Sequence, residues 1–348
     1  MRRNSTRMFF AVALVFSSLT APLMAQITPS GAVVPVTVQN FNRAETDTYF
    51  SNFMKQGAFG KFYHNRDVAP IEKQDVIRMN RDTLYSAAVF DLDAGPVTIV
   101  LPDAGKRYMA LLIINEDAYS PAVVYAPGRY TYEKQKIGTR YMSAVIRTLV
   151  DPQNPQDIQA VHALQDGIKI EQAAVGRFEV PNWDPASEKK IHDVLLVLAG
   201  MQGDNPPSKF GWKGEVDPVY HLIGTGSGWG GNPPEAAQYI NGYPKFNDGK
   251  TIYKLTVKDV PVDGFWSVSV YNKEGYFEKN DLGAYSVNNV TAKTNTDGSV
   301  SVQFGGCQAD TLNCLPTPNG WNYTTRMYRP RKAILDGTWK FPDPQPVP

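Results

Sequence analysis

The chain has few of the residues that most often carry catalytic or metal chemistry. Among 348 residues there are two cysteines and four histidines. The histidines do not occur at the spacings of metal-ligand motifs: they are His64, His162, His192 and His221. The sequence therefore predicts no metal site and no cofactor. Charge of one sign is also lacking, because the formal net charge is +1. This balance gives no electrostatic reason to bind nucleic acid or an anionic membrane surface.

The familiar nucleophile and nucleotide motifs are absent as well. The sequence contains no G-x-S-x-G, no G-x-x-x-x-G-K-[ST] and no H-E-x-x-H. Residues 226–231 read "GSGWGG" and match G-x-G-x-x-G by letters, but "NPPEAA" follows. A dinucleotide site needs a helix that begins behind the glycines, within a βαβ unit. We therefore predict no dinucleotide site here.

Long apolar runs are scarce, and the main one lies at the N-terminus. Arg2, Arg3 and Arg7 form a basic start, Met8–Val15 is apolar, and Ala25 ends a small-residue cleavage site. This pattern predicts a signal peptide over residues 1–25 and a periplasmic or secreted protein. A retained membrane anchor is the alternative, but the run is broken well before the roughly 20 residues that a spanning helix needs. Cleavage would remove three arginines and bring the formal charge to −2. No membrane span is predicted after cleavage.

The two cysteines lie close together in "GGCQADTLNCLP". In an oxidising compartment, an isolated close pair such as Cys307 and Cys314 is most simply a disulfide. Half of a metal site is the alternative, but no histidine is placed to complete it.

What the sequence has in abundance is short stretches with the period of strands. They are rich in β-branched and aromatic residues, and Gly, Pro and Asp separate them: "TLYSAAVFDL", "PVTIVLP", "RYMALLIINE", "PAVVYAP", "TRYMSAVIRTLV", "TIYKLTV" and "FWSVSVYN". We predict a mainly β fold of two β-sandwich or jelly-roll-type domains with a few connecting α-helices. A further hairpin is predicted around Asp297-Gly298.

Three helices are predicted between these strands. Residues 40–57 form an amphipathic pattern with Asn42 and Glu45 as a capping box. Asn154-Pro155 and Asp184-Pro185 begin the other two, and Gly167 and Gly200 end them. Residues 202–250 are dense in Gly and Pro and read as a long irregular connection.

The predicted order is a signal peptide (1–25), an N-terminal mainly β domain (26–175), a helix with the Gly/Pro-rich connection (176–245) and a C-terminal β-sandwich domain (246–348).

Charge gathers at the entrance of the first predicted strand, in "RMNRDTLYS" at residues 78–86. One interpretation is a cleft in which Asp82 is catalytic and Asn80, Arg81 and Tyr85 bind a polar ligand. The other is a loop organiser, in which Asp82 accepts backbone N–H groups and Arg81 holds a neighbouring carboxylate or carbonyl.

Other candidates are more scattered. His162 precedes Asp166 by one helical turn, so it is either a catalytic base or a boundary histidine satisfied by a carboxylate. "YNKEGYFEKNDLGAYSVN" contains Glu278, a candidate catalytic residue, with Tyr276 and Tyr285 as candidate ligand-binding rings. Trp229 is a further candidate ligand-binding residue. Such aromatic residues also suit an interdomain or subunit interface.

Long stretches of the chain resemble two known families. "VIRMNRDTLYSAAVFDL" and "GTRYMSAVIRTLVDPQNPQDIQAVHALQDGIKI" resemble domain-of-unknown-function family 1254, and "NDGKTIYKLTVKDVPVDGFWSVSVYNKEGYFEKNDLGAYSVNN" and "NCLPTPNGWNYTTRMYRPRKAILDGTWKFP" resemble family 1214, its usual C-terminal partner. The resemblance implies a bacterial, often exported protein of two mainly β domains of sandwich or jelly-roll type. It implies no established reaction and no established catalytic residues.

Two functions follow as hypotheses. The first is a hydrolase-like enzyme that acts on a polar or glycan-like small molecule at an interdomain cleft. Arg81 and Asp82 would bind and polarise the substrate, and His162 or Glu278 would act as acid or base. The second is a non-catalytic binding or assembly module whose aromatic loops contact a partner or a second subunit, so a homo-oligomer is possible.

Overall fold

A computed structural model of the chain describes residues 30–74, 76–202 and 207–347. The predicted signal peptide lies outside the described residues. The described chain contains more strand than helix, which confirms a mainly β composition with few helices. The sandwich or jelly-roll type of the two domains and the predicted domain boundaries stay predictions. Within the described ranges, no helix is both long enough and apolar enough to cross a bilayer.

The helices are α1 (Phe41–Lys55), α2 (Lys134–Ile137), α3 (Pro155–Asp166), α4 (Pro185–Ala199), α5 (Pro218–Gly228) and α6 (Lys332–Leu335). The strands are β1 (Ser30–Val34), β2 (Tyr63–His64), β3 (Thr83–Asp91), β4 (Val97–Leu101), β5 (Met109–Asn115), β6 (Ala122–Tyr125), β7 (Gly128–Tyr132), β8 (Tyr141–Leu149), β9 (Lys169–Glu171), β10 (Pro181–Trp183), β11 (Ala237–Gly242), β12 (Tyr253–Val257), β13 (Trp266–Tyr271), β14 (Ser286–Asn288), β15 (Val300–Phe304), β16 (Cys314–Leu315), β17 (Asn322–Tyr328) and β18 (Gln345–Pro346).

The N-terminal part is built on a five-stranded sheet in the order β2-β3-β8-β5-β6. The three-stranded sheet β7-β4-β9 packs on one face, where Ile99, Leu111 and Ile146 are fully buried in a shared core. Phe50 and Phe53 of α1 belong to the clusters that pack with β3, β5 and β8. Because β3, β5 and β8 are buried on both faces, their sequences are nearly continuous apolar runs instead of alternating ones.

The C-terminal part contains two four-stranded sheets, β11-β17-β13-β14 and β16-β15-β12-β18. Apolar side chains from both sheets form one core, in which Val268, Val302 and Trp321 are fully buried. Strand β12 alternates between buried and exposed residues, as a strand with one face on the core should.

An aromatic cluster joins the two parts. Tyr108 precedes β5, Phe265 precedes β13 and Tyr328 ends β17. The ring centroids are 4.3 Å apart for Phe265 and Tyr328, and Tyr108 lies 5.2 and 5.3 Å from these two rings. All three side chains are buried. Apolar packing of this kind fixes the N-terminal five-stranded sheet against the sheet that contains β17.

Helix ends were predicted with mixed success. Asn154 and Asp184 cap α3 and α4 as predicted, because each side chain accepts hydrogen bonds from two backbone N–H groups of the first turn. The predicted capping box is wrong. Helix α1 already begins at Phe41, so Asn42 lies inside the helix, and Glu45 is buried against α4.

The predicted irregular connection over residues 202–250 is also wrong in part, because it contains α5. The start signal is present: Asp217 caps the helix with its side chain, and Pro218 is the first helical residue. The "GSGWGG" glycines occupy the end of α5 instead of the start of a helix. A Cβ on Gly226 would lie only 2.9 Å from Leu195 Cβ, so glycine here permits close packing of α5 on α4.

The predicted hairpin at Asp297-Gly298 is present only as a turn. Gly298 has a φ of +82°, and the backbone N–H of Asn295 bonds to the carbonyl of Ser299. The residues before the turn form no strand, and β15 pairs with β12 instead. Long-range pairing therefore determines the neighbour of β15.

The predicted disulfide is confirmed: Cys307 and Cys314 are bonded, and no free cysteine is present among the described residues. The bond joins the start of an irregular segment to β16, which pairs with the end of β15. It therefore closes the loop beside the edge of the second C-terminal sheet.

Helices α1 and α4 bury two carboxyl groups against each other. Burial raises the pKa of Glu45 to about 8, with a further increase from Glu188. Burial also raises the pKa of Glu188, whose Oε1 accepts a hydrogen bond from Thr48 Oγ1 at 2.9 Å. His192 Nδ1 lies 3.1 Å from Glu45 Oε1, and burial lowers the pKa of His192. The buried Glu45 and Glu188 carboxyl groups therefore destabilise the fold least when Glu45 is protonated.

We expect Glu45→Gln to stabilise the protein increasingly as pH rises. The folded pKa of Glu45, about 8, lies above its ordinary value of 4.5. Its favourable contribution is therefore complete below pH 4.5 and is lost as pH rises through about 8. Urea unfolding at pH 5 and pH 9 should show a gain of about 1–2 kcal/mol at the higher pH and little at the lower.

The control for this experiment is Glu171→Gln. Glu171 is exposed on β9, and its hydrogen bond with Arg129 lowers its pKa, so its substitution should produce no gain that grows with pH. If Glu45→Gln changed the free energy of unfolding equally at both pH values, the raised pKa of Glu45 would be refuted.

The double substitution of Cys307 and Cys314 by serine should lower the free energy of unfolding. The disulfide closes a short loop and so restricts the conformations of the unfolded chain. On the chain-entropy account, its removal lowers the free energy of unfolding by about 2–3 kcal/mol. Urea unfolding of the oxidised protein measures the loss, and the reduced wild-type protein should match the variant. Equal stability of the oxidised wild type and the variant would refute this expectation.

Candidate functional site

A cleft of about 1070 Å³ lies between the N-terminal five-stranded sheet and the C-terminal sheet that contains β17. Its walls come from β3 and β8 on one side and from β11 and β17 on the other. Residues of the segment 65–80 and of the stretch after α5 complete the lining. The cleft is therefore built from both parts of the chain, next to the aromatic cluster that joins them.

The lining of this cleft is strongly cationic, although the whole chain is nearly neutral. Among the described residues, one acidic residue, Asp67, lines it. Six basic residues do so: Arg66, Lys73, Arg78, Arg147, Lys209 and Arg326. A concave surface with one sign of charge attracts ligands of the opposite sign. The cleft therefore suits an anion.

Arg147 is the central feature of the N-terminal wall. Arg147 lies on β8 directly opposite Tyr85 of β3, and only 9% of its surface is exposed. Its guanidinium donates to the carbonyl of Gly230 at 2.8 Å and to Asn232 Oδ1 at 3.4 Å. Within the described residues, no carboxylate oxygen lies within 4.0 Å of it. Arg147 is thus a buried cation with unused N–H donors and no carboxylate partner.

Three tyrosine hydroxyls share the cleft with Arg147. Asn80 Nδ2 donates to the hydroxyls of Tyr85 at 3.4 Å and Tyr328 at 3.1 Å. Asn232 Nδ2 donates to the hydroxyl of Tyr239 at 2.8 Å. All three hydroxyls accept these hydrogen bonds, and in the part of the chain that the structure describes none donates one. Their own protons remain available to a ligand that accepts hydrogen bonds.

Two of these tyrosines have pKa values displaced in opposite directions. Burial raises the pKa of Tyr85, but the charge of Arg147 and hydrogen bonds from Asn80 and Thr83 outweigh burial and lower it. Burial raises the pKa of Tyr328 well above its ordinary value. Tyr328 therefore stays protonated, whereas Tyr85 ionises more readily than a free tyrosine.

A second buried arginine, Arg326, lies on the opposite wall, and its guanidinium donates to several groups of the protein. It donates to Ser269 Oγ at 3.0 Å, to the Tyr271 hydroxyl at 2.7 Å and to the carbonyl of Arg78 at 2.8 Å. Burial opposes its charge, but nearby tyrosines and Asp82 raise its pKa above the ordinary value. Arg326 therefore holds the segment before β3 against β17.

Some residues of the predicted cluster at 78–86 line the cleft, and others lie behind it and hold the segment before β3 in place. Asn80 and Tyr85 line the cleft. Asp82 lies behind it, 2% exposed, and its Oδ1 accepts from Ser286 Oγ at 2.7 Å and Asn288 Nδ2 at 3.4 Å. Arg81 donates to the carbonyl of Ala69 and lies 5.1 Å above the Tyr285 ring. The loop-organiser interpretation therefore describes Arg81 well. Asp82 is held by two side chains, whereas the sequence predicted backbone N–H donors.

The other candidates lie away from the cleft lining. His162 Nε2 is 2.6 Å from the carbonyl of Arg66, and Asp166 pairs with the Arg66 guanidinium. Trp229 stacks on Tyr49 at 4.2 Å in the packing of α1. Glu278 is exposed, and Tyr276 precedes the buried Phe277. The structure does not bring Asp82, His162 and Glu278 together, and their catalytic roles stay predictions.

Sequence reasoning missed Arg147, Arg326, Tyr239 and Tyr328. A signal existed for the two arginines, because each lies inside a stretch that reads as a buried strand, "SAVIRTLV" and "YTTRMY". Arginine is rarely buried without a partner or a ligand. Within the described residues, no group of three or more His, Cys, Asp or Glu side chains is arranged to hold a metal ion.

Comparison with protein families agrees with the sequence. Residues 59–137 match the family described as "Protein of unknown function (DUF1254)", and residues 241–332 match the family described as "Protein of unknown function (DUF1214)". The resemblance to these two families, in this order along the chain, is confirmed. No curated protein matches the chain.

Solved structures share the fold at low sequence identity. The VPA0106 protein from Vibrio parahaemolyticus is 18% identical with a TM-score of 0.67, over 89% of this chain and 98% of that chain. An uncharacterized protein from Burkholderia cenocepacia is 15% identical with a TM-score of 0.50, over 84% of each chain. Likeness at this identity shows a common fold and nothing more.

We expect Asp82→Asn to lower the free energy of unfolding by about 2–3 kcal/mol. The substitution removes a buried negative charge near Arg326 and sets an amide against two donors, Ser286 and Asn288. Urea unfolding measures the loss, and Asp281→Asn in the exposed loop before β14 is the matched control. Unchanged stability of Asp82→Asn would show that Asp82 does not support the strand entrance.

Proposed function

We propose that this two-domain chain binds a small organic anion in the cleft between its DUF1254 and DUF1214 regions. The observation that supports this proposal is Arg147, a buried guanidinium on the wall of the cleft that has no carboxylate partner within residues 30–74, 76–202 and 207–347. A carboxylate or phosphate oxygen bound there would supply the missing counter-charge.

The energetics of burial favour a ligand at Arg147. A buried charge is costly unless it is paired and hydrogen-bonded. The guanidinium has five N–H donors, of which the contacts to Gly230 and Asn232 engage only some. Hydrogen bonds between charged groups are stronger than those between neutral groups, and a guanidinium can bind a carboxylate with two parallel bonds.

The tyrosine hydroxyls restrict the chemistry of the ligand further. Tyr85, Tyr239 and Tyr328 offer protons for donation on the same side as Arg147. A ligand that fits this arrangement accepts many hydrogen bonds and carries negative charge. The polar or glycan-like ligand predicted from the sequence is thereby narrowed to an acidic small molecule, such as a carboxylate, a phosphate ester or an acidic sugar.

Binding alone accounts for these features, and it corresponds to the non-catalytic binding alternative. The hydrolase-like activity stays a prediction, since its residues Asp82, His162 and Glu278 are not gathered in the cleft. A homo-oligomer and a protein partner also stay predictions.

Export belongs to the same proposal. It is supported by the basic and apolar pattern of residues 1–25 and by the Cys307–Cys314 disulfide, which persists most readily in an oxidising compartment. The proposed place of action is the periplasm or the exterior of the cell.

Binding should depend on Arg147. Thermal unfolding of the purified protein with succinate, citrate, inorganic phosphate and glucose should show stabilisation by an anion and none by glucose. For an anion that binds, calorimetry with Arg147→Gln should show affinity at least about tenfold weaker, because a charge-assisted hydrogen bond contributes about 1.5–3 kcal/mol.

The matched control is Arg331→Gln, which removes an exposed arginine that pairs with Asp263 and does not line the cleft. It should leave the affinity unchanged. Stabilisation by none of the three anions, or equal affinity of Arg147→Gln and wild type, would refute the proposed function.

A further inference from the structure

We propose that the cleft holds a dianion, with one acid group bound by Arg147 and the other bound by Arg78 at the opposite end of the cleft. This inference rests on the proposed function, because it requires an anion at Arg147. It goes further by assigning a second binding residue and by restricting the ligand to molecules that carry two separate acid groups.

The charge of the cleft exceeds what a single acid group can balance. Among the described residues, six basic side chains and one acidic side chain line it. Arg66 is paired with Asp166, but the positive charge of the lining remains in excess. One carboxylate bound to Arg147 would therefore leave most of this charge without compensation, and the cleft would still attract a second acid group.

Arg78 is a second cation whose position the protein fixes. Its side chain lines the cleft, and its guanidinium donates to Thr324 Oγ1 at 3.0 Å and to the Tyr243 hydroxyl at 2.7 Å. Its Cζ also lies 5.6 Å from the centre of the Tyr243 ring and 5.8 Å from the centre of the Tyr271 ring. These contacts are all neutral, and they use only some of the five N–H donors of a guanidinium. Within the described ranges, no carboxylate oxygen lies within 4.0 Å of Arg78.

Arg78 and Arg147 lie near opposite ends of β17. Arg78 bonds to Thr324. Arg147 faces the ring of Tyr85, whose hydroxyl shares a hydrogen-bond donor with the hydroxyl of Tyr328. Thr324 and Tyr328 both line the cleft, and the row between them on β17 is about 13 Å long. This separation favours one acid group at each arginine instead of one group shared by both.

The wall between the two arginines can accommodate the part of the ligand that links its acid groups. Thr324 Oγ1 donates to Asn241 Oδ1 of β11 at 2.8 Å, and Tyr239 is directly opposite Arg326. Hydroxyl and amide groups both donate and accept hydrogen bonds. The cleft volume of about 1070 Å³ is at the upper end of the roughly 300–1,000 Å³ of ligand pockets. The ligand class is therefore an elongated diacid, either a linear dicarboxylate or an acidic disaccharide.

Calorimetry with paired probes tests this inference. Adipate is compared with hexanoate, suberate with octanoate, and digalacturonate with galacturonate. The wild-type protein should bind the diacid of at least one pair at least about tenfold more tightly than the monoacid, because the second acid group forms charge-assisted hydrogen bonds of its own. The pair that shows the preference distinguishes a linear dicarboxylate from an acidic sugar.

The preference for the diacid should depend on Arg78. Arg78→Gln should bring the affinity for the diacid down to about that for the monoacid, whereas Arg147→Gln should weaken binding of both. Arg78→Lys keeps the charge and should retain a preference for the diacid. Lys73→Gln removes one positive charge from the same lining and should cost less diacid affinity than Arg78→Gln does. Thermal unfolding of each variant shows whether it is folded.

The outcomes separate this inference from the proposed function. Equal affinity of the wild-type protein for the monoacid and the diacid in all three pairs would overturn the second binding residue and leave anion binding at Arg147 intact. A preference that persists in Arg78→Gln, or that Lys73→Gln removes equally, would do the same. If the wild-type protein binds no anion at all, both proposals fail.

Discussion

A guanidinium that is removed from water must find compensation for its charge, and two arginines on facing sheets impose this constraint on the whole molecule. Arg326 on β17 finds its partners within the protein, in Ser269, Tyr271 and the carbonyl of Arg78. Arg147 on β8 finds two neutral acceptors and the face of the Tyr85 ring. The difference between the two arginines separates a structural support from a candidate binding site, although both line the same cleft.

The structural support also explains an unusual backbone. Arg78 has a φ of +54°, a left-handed conformation that costs a non-glycine residue about 1–2 kcal/mol. Its N–H bonds to the carbonyl of Gly275 at 2.8 Å, and its own carbonyl accepts from Arg326. These bonds cross from the N-terminal part to the C-terminal part. The charges before β3 thus hold a strained segment in place, and that segment presents Asn80 to Tyr85 and Tyr328.

Local patterns in the sequence predicted local structure well. The Asn154-Pro155 and Asp184-Pro185 starts predicted α3 and α4 because a cap acts within one turn of helix. The sequence pattern does not predict helix α5, although Asp217-Pro218 carries the same start signal, because glycines as frequent as those in α5 favour a loop. Those glycines permit contact with α4, which no local pattern reveals. Asn80 and Tyr85 could be predicted as candidate site residues from the charge beside a strand. Tyr239 and Tyr328 line the cleft only because β11 pairs with β17 and the N-terminal part packs against the C-terminal part.

The residues that line the cleft come from both the N-terminal and the C-terminal part of the chain. Tyr85 and Arg147 belong to the first part, and Tyr239 and Tyr328 belong to the second. A gene that lost or exchanged either half would encode only half of the cleft lining. The two coding regions must therefore be inherited together for the cleft to form.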